Sequence, residues 1–407
     1  MIERKHMNRR PSLIALATAL LLPLTAAAAD DAPGTVTAPA TDRNAYELRV
    51  RALGGAFDGM GVRTDSGGVG ILQLDFTPRF GYGQRTIEIP LRLDHRQTWG
   101  ASLSETVVGA GVDVVRREGP AESAWLAGAS YTLRPNWPDL YQPDGVGGLG
   151  KTDRYSHFQG LLGWRYWAKL GEGRNARVKI RYLHTLYPRD PNYDAATSVV
   201  HLAPRDNGTL KIDTSYRVVK KGYAWAVRLD GFVRQDFVLL AKNAGTGGTS
   251  RSNPKERLLG IEPAAEIELR TKPIDAGVGL GYVAQVDTFA GYYSFTAPNP
   301  FVHLQIAPKS ALTAELRAEA ELRRFGPNSK AATEDGKRLR DTRYTVKGDV
   351  KYRLTDGFSL VAEGSWTKRD TNFPDYVPGV YPSVTSLYDI KWDYTNTMVT
   401  AGVEWRP

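Results

Sequence analysis

The chain has no cysteine, so disulfide staples, thiol nucleophiles, thiolate metal sites and lipoprotein acylation are all excluded. Beyond residue 29 it also lacks any apolar run approaching the ~20 residues that a membrane-crossing helix needs. Histidines number only six, and none stands at metal-ligand spacing. His95 and His184 follow an apolar alternation, His201 falls in a loop, and His157 and His303 can point to a polar face with no serine or acid at diagnostic spacing. No Gly-x-Ser-x-Gly turn and no His-x-Ser pair occurs, so the residues do not point to an enzyme. The runs Gly145–Gly150 and Gly277–Gly281 do not join a strand to a helix as phosphate loops do, and read instead as flexibility, bulges or close packing. Lysine and arginine (53) exceed aspartate and glutamate (44), but the positive charges are dispersed through alternating segments, not gathered in a basic helix or tail. A nucleic-acid partner is therefore not expected.

What the chain does have is alternation. About sixteen stretches between Tyr46 and Trp405 place an apolar or aromatic residue at every second position, with polar or charged residues between. Arg177-Val178-Lys179-Ile180-Arg181-Tyr182 is the cleanest, followed by Thr86–Asp94 and Thr313–Arg323. Period two gives a strand with one apolar and one polar face. Repeated behind an export signal, it predicts an all-β fold: a closed transmembrane antiparallel up-and-down barrel, apolar face to lipid and polar face to a lumen.

The N-terminus supplies the signal. Arg9 and Arg10 precede the apolar run Leu13–Leu22, and Ala27-x-Ala29 before Asp30 offers a cleavage site. Residues 1–29 thus read as a cleaved signal peptide and 30–44 as a disordered periplasmic leader rich in proline, alanine and threonine. Residues 45–407 read as one barrel domain, because no linker-like change of composition interrupts the pattern.

Connector lengths alternate as well. Short turns fall near Arg117–Pro120, Gly171–Arg174, Lys220–Gly222, Thr271–Pro273, Pro308–Ser310 and Thr355–Gly357. Longer polar segments lie at roughly 135–153, 189–207, 241–256, 288–298, 326–340 and 370–394. Short turns belong on the periplasmic side and long loops outside. The count closes near sixteen strands; the glycine-rich first hairpin and the region 288–310 leave fourteen or eighteen open. Aromatics on the apolar face, among them Trp125, Trp164, Tyr182, Tyr344, Tyr352, Trp366 and Trp405, fall near strand ends, where a membrane–water boundary favours such rings.

These strands, the loop asymmetry and the closing segment Met398–Pro407 resemble Gram-negative outer-membrane β-barrel proteins of the porin-like kind. The likeness covers nearly all of the chain after the signal, and it is architectural, without a specific family motif. It implies residence in the outer membrane, contact with outer-membrane lipid and lipopolysaccharide, delivery by the barrel-insertion machinery, a hydrophilic solute or polymer as cargo, and no cofactor. Two departures stand out. The group's final strand ends in an aromatic residue, whereas Trp405 is followed by Arg406 and Pro407. The segment Asn136–Gly150 occupies the slot of the loop that folds into the lumen of trimeric porins, but lacks that loop's signature.

The polar faces carry the remaining chemistry. Arg165, Lys169, Arg177, Lys179, Arg181, Lys211 and Arg217 form a basic sector on three consecutive strands, with Asp213 the one clear acid among them. Elsewhere the signs interleave: Glu315, Glu319 and Glu321 are expected beside Lys347, Lys351 and Arg353, and Glu262, Glu266 and Glu268 beside Arg228 and Arg234, as cross-strand pairs. The resulting expectation is a pore passing hydrophilic solutes by passive diffusion, with a lean toward anions. Two alternatives use the same strands: a secretion conduit for a polymer such as an exopolysaccharide, and a plugged barrel whose loops, the aromatic segment Asp370–Pro382 above all, bind at the surface.

Overall fold

A sheet that is apolar on one face and polar on the other survives in lipid only if its two edges meet, because no water is present there to satisfy edge N–H and C=O groups. The computed structural model of the chain describes residues 44–60, 63–99, 103–135, 137–143, 149–152, 155–188, 192–194, 199–201, 206–237, 257–271, 273–288, 294–306, 311–327, 337–372 and 393–407. Within them, sixteen antiparallel strands form one closed barrel. In chain order they are β1 (Asn44–Met60), β2 (Arg63–Tyr82), β3 in two pieces (Arg85–Glu88 and Leu91–Trp99), β4 (Ser104–Glu118), β5 (Ala121–Leu133), β6 (His157–Gly171), β7 (Arg174–Leu186) and β8 (Asn207–Lys220). They continue with β9 (Tyr223–Asp236), β10 (Arg257–Thr271), β11 (Ile274–Asp287), β12 (Phe295–Ile306), β13 (Leu312–Phe325), β14 (Arg340–Arg353), β15 (Phe358–Thr371) and β16 (Tyr394–Trp405). Each pairs with its sequence neighbour, and β16 pairs with β1 from Val50↔Trp405 to Asp58↔Thr397. The expected signal segment and nearly all of the leader lie outside the described residues.

The strands are staggered. A walk across the register from Val50 passes Leu74, Leu93, Val108 and Tyr131 to Phe158, climbing from the middle of β1 to the outer end of β6. Such a stagger tilts strands by about 35–45° and sets a barrel wide enough to hold a lumen.

Short turns connect the strands at the end that carries both termini. Gly83, Gly119, Gly173 and Gly222 sit in them with positive φ, which two-residue hairpin turns demand and only glycine adopts without strain. The longer connectors lie at the other end. Two of them hold small hairpins of their own, Trp137–Pro143 with Leu149–Thr152 and Asn192–Asp194 with Val199–His201. The side chains of 136–154 lie outside the described residues, as do all of 241–256 and most of the aromatic segment 370–382. Buried polar side chains tie the feet of several long connectors. Arg134 N–H donates to Ser156 Oγ (2.9 Å), Tyr187 N–H to Asp206 Oδ1 (2.7 Å) and Asp287 N–H to Ser294 Oγ (2.9 Å).

Prolines explain where sequence boundaries blur. Thr86–Asp94 reads as one strand, and Pro90 splits β3 because it has no N–H to give. The register nevertheless runs through, from Arg79↔Glu88 to Phe76↔Leu91. Pro298 and Pro300 in β12 do the same on the outer face, and the β12–β13 ladder is interrupted between Thr296↔Arg324 and Phe301↔Glu319.

The outer surface is the apolar one. Leu72, Val108, Leu162, Ile180, Ile212, Leu229, Ile261, Val278, Leu316 and Val399 are all exposed on it, with Trp125, Tyr182, Tyr344, Tyr352 and Trp405 toward the strand ends. A continuous exposed apolar belt of this extent is untenable in water and is what a lipid-facing barrel wall requires.

Candidate functional site

Every second residue points into the barrel, and the inner wall is where chemistry is available. On β6 the inward positions include Gly163, Arg165, Trp167 and Lys169; on β7, Arg177, Lys179 and Arg181; on β8, Lys211, Asp213, Ser215 and Arg217. The register sets Lys179 between Arg165 and Asp213, and Arg181 between Gly163 and Lys211. All seven basic residues singled out from sequence therefore share one wall.

They are less isolated than the sequence suggests. Arg181 is bonded to Asp213 (2.5 Å), but Arg217 reaches Glu268 (2.6 Å) two strands away on β10. Arg165 lies 3.4 Å from Glu122 on β5 and 3.8 Å from Glu88 on β3. Three of the seven thus meet carboxylates, and two of them, Arg165 and Arg217, reach strands that are not their neighbours. They remain partly open to the lumen: Arg165 is 30% exposed, Arg181 25% and Arg217 31%. In a closed barrel, inward groups with that exposure border solvent-sized space.

Away from this wall the expected ion pairs are repartnered. Opposite Glu315 stands Asp349, opposite Glu319 stands Thr345, and Lys347 faces Arg317. The glutamates bind arginines of their own strand instead, Glu319 with Arg317 (3.2 Å) and Glu321 with Arg323 (2.8 Å). Lys351 turns to Glu404 on β16 (2.5 Å). Arg234 pairs with Asp236 (3.0 Å), not with the β10 glutamates, whereas Arg228 stands opposite Ala264 with Glu262 and Glu266 at the flanking inward positions, as expected. Alternation fixes the face of a residue, while a two-residue change of register preserves the face and changes every partner.

Glycines at 277, 279 and 281 occupy alternate inward positions of β11. A Cβ at Gly277 would lie 2.2 Å from His303 Cε1, and one at Gly279 2.2 Å from Phe301 Cζ. The two rings from β12 therefore lie flat across β11, which brings His303 Nε2 to 3.7 Å from Glu268 Oε2. Arg317 stacks over Phe301 at 4.4 Å. Close packing is thus the use of this glycine run. The period-two spacing of the glycines was the signal available for it.

Part of the inner wall is apolar. Leu53, Phe57, Val69, Ile71 and Val361 point inward from β1, β2 and β15 and cluster with Leu103 from the β3–β4 connector and with Met398. A second cluster joins Val115, Ala124 and Leu126 to Leu161. His95 faces outward beside Thr106 (2.8 Å), and His184 stacks on Phe237. Among the described residues no group of three or more His, Cys, Asp or Glu side chains could hold a metal.

A closed sixteen-stranded barrel with an apolar exterior and a charged, partly exposed interior has the architecture of an integral outer-membrane β-barrel protein. No family model matches the chain, and no curated protein matches its sequence. Among solved structures it is similar to the outer-membrane expressed OmpT of Vibrio cholerae (11% identity, TM-score 0.42, covering 90% of this chain and 99% of that one). It is also similar to OccAB3 of Acinetobacter baumannii (10%, 0.45, 89% and 99%) and to a bacterial polysaccharide outer membrane secretin (9%, 0.44, 90% and 99%). These likenesses concern the fold alone.

Proposed function

We propose that the barrel is a passive pore for hydrophilic solutes, with an anion preference set by the β6–β8 wall, and not an enzyme. The observation that carries this reading is the partial exposure of Arg165, Arg181 and Arg217 inside a closed barrel. Seven positive residues against Asp213 on three adjacent strands raise the local anion concentration within about a Debye length, roughly 8–10 Å at physiological salt. Carboxylates on β3, β5 and β10 moderate that field without cancelling it.

Single-channel recording of refolded protein under a salt gradient tests the proposal. The wild type is expected to conduct steadily with a reversal potential on the anion side. Replacing Arg177, Lys179 and Arg181 together by glutamine is expected to move it toward cations while heat-modifiable mobility on gels is retained. An unchanged potential would assign these residues to structural pairing. Absence of conductance in the wild type would favour the plugged barrel or a polymer conduit that opens only with its cargo.

A further inference from the structure

The inward glycines of β11 and those of β4 and β5 differ in what lies over them. On β11 the rings of His303 and Phe301 cover Gly277 and Gly279. On β4 and β5 the inward glycines are Gly109, Gly111 and Gly128, with Gly111 directly opposite Gly128 and Gly109 opposite Ser130. Here the first contacts are backbone and small side chains. A Cβ at Gly128 would meet Ala110 O at 3.2 Å and Gly111 Cα at 3.5 Å, and one at Gly109 would meet Ser130 Cβ at 3.4 Å. The space over this floor is a recess of about 210 Å³ in the inner wall. Gly109 and Gly111 are the sixth and eighth of the fifteen residues of β4, so the recess lies at mid-height.

Pro90 forms one side of it. Having no N–H, this residue interrupts β3 and only accepts, from Gly111 N–H (2.9 Å). Its Cγ lies 3.2 Å from where a Gly111 Cβ would stand. Leu161 on β6, opposite Gly128, forms the other side. Polar groups rim these apolar surfaces, Ser130 and the opposed Gln159 toward the outer end and Asp113 toward the periplasmic end. Gln159 Nε2 donates to Thr185 Oγ1 (3.2 Å), which fixes the amide and leaves its oxygen as an acceptor. The Ser130 hydroxyl has no partner among the described residues.

A concave site with an apolar floor and a few polar groups at its rim suits a small hydroxylated carbon skeleton. Its C–H groups would rest on Pro90, Leu161 and bare glycine backbone, where the absence of a side chain permits the closest approach. Its hydroxyls, each both donor and acceptor, match the Ser130 hydroxyl, the Gln159 oxygen and the Asp113 carboxylate. We infer that the recess is a binding site for one neutral six-carbon polyol, a sugar ring or its open-chain alcohol. The volume admits one such unit and no second. Asp113 at the rim repels an anionic sugar, so the recess is chemically distinct from the β6–β8 wall. It rests on the pore reading only in needing a lumen that solutes enter.

Ion current through the full barrel in planar bilayers, with D-glucose added to both sides, tests the inference. Wild-type conductance should fall along a saturating curve, whereas triethylene glycol, similar in size but without the array of hydroxyls, should lower it linearly. Ser130→Ala should raise the half-saturating glucose concentration about fivefold, as loss of one hydrogen bond does. Ser130→Leu fills the recess and should abolish saturation while leaving the reversal potential in a salt gradient unchanged. Heat-modifiable mobility establishes that each variant is folded. Saturation-transfer NMR on the refolded barrel in detergent reads the same binding without current: signal from glucose with the wild type, none with Ser130→Leu, and none from glucuronate with either. A linear fall or no glucose signal in the wild type would overturn the site, as would binding retained by Ser130→Leu or equal signal from glucuronate. Glucose saturation in a wild type that shows no anion preference would remove the reading of the β6–β8 wall and leave the recess standing.

Discussion

The two sides of the lumen are built on opposite principles. Around the seam, Leu53, Phe57, Val69, Ile71, Leu103 and Val361 are each at most 6% exposed, packed like the core of a soluble protein although they point into a barrel. Along β6–β8, Arg165, Arg181 and Arg217 keep between 25% and 31% of their surface open. The first wall fills space and the second lines it. Closure of a barrel requires the last strand to find the first, and a dense apolar contact across β15, β16, β1 and β2 stabilises that meeting at the point of greatest sequence separation. In the proposed pore the conducting path is left to the charged wall, where side chains keep part of their hydration.

Tests that break this contrast run from assembly to selectivity. Deleting Met398 to Pro407 removes the partner of both β15 and β1 and leaves two edges unpaired in lipid. The truncated chain is expected to accumulate as misfolded periplasmic protein. Its normal exposure at the cell surface would show that the seam is dispensable.

The seam cluster itself should respond as a core. Leu53→Ala is expected to destabilise the folded barrel by roughly 2–5 kcal/mol, as large-to-small changes at packed sites do. Urea unfolding from lipid vesicles measures it. Lys179→Gln, on the hydrated wall, should change stability by less than about 1 kcal/mol. Equal losses would mean that the two walls are packed alike.

One residue on, Ile180 faces lipid. Ile180→Arg is expected to cost roughly 2–4 kcal/mol if the site lies near the bilayer midplane, falling toward zero at the rim. The pair Lys179→Gln and Ile180→Arg thus reads the register of β7 directly in the same unfolding assay. If both are mild, β7 does not hold its outer face against hydrocarbon.

How much of this was legible in the sequence differs between the two walls for a physical reason. In Arg177–Tyr182 charged and apolar residues alternate without exception, so inside and outside follow at once, and the structure agrees for Lys179 and Ile180. In Ala52–Phe57 and Val69–Leu72 both faces are apolar or glycine, so alternation carries no information about side, and the seam cluster was invisible. Partners were less legible than faces. Asp213 was readable beside Arg181 because β7 and β8 are consecutive strands and alternation turns both residues inward. Glu268 beside Arg217 was not, since it depends on a long side chain reaching past β9.

That distinction sharpens the smallest effect expected. Asp213 both holds Arg181 and stands opposite Lys179, so Asp213→Asn removes the one acid on β6–β8 without emptying any space. The ion pair is partly hydrated, so stability should change by at most about 1 kcal/mol. The field along the wall becomes more positive, and the reversal potential should move further toward anions, opposite in sign to the shift from neutralising Arg177, Lys179 and Arg181. At 1 M salt, where the Debye length falls to about 3 Å, both shifts should shrink together. If Asp213→Asn leaves the potential in place while the triple variant moves it, Asp213 serves to hold Arg181 and does not set the field that permeating ions meet.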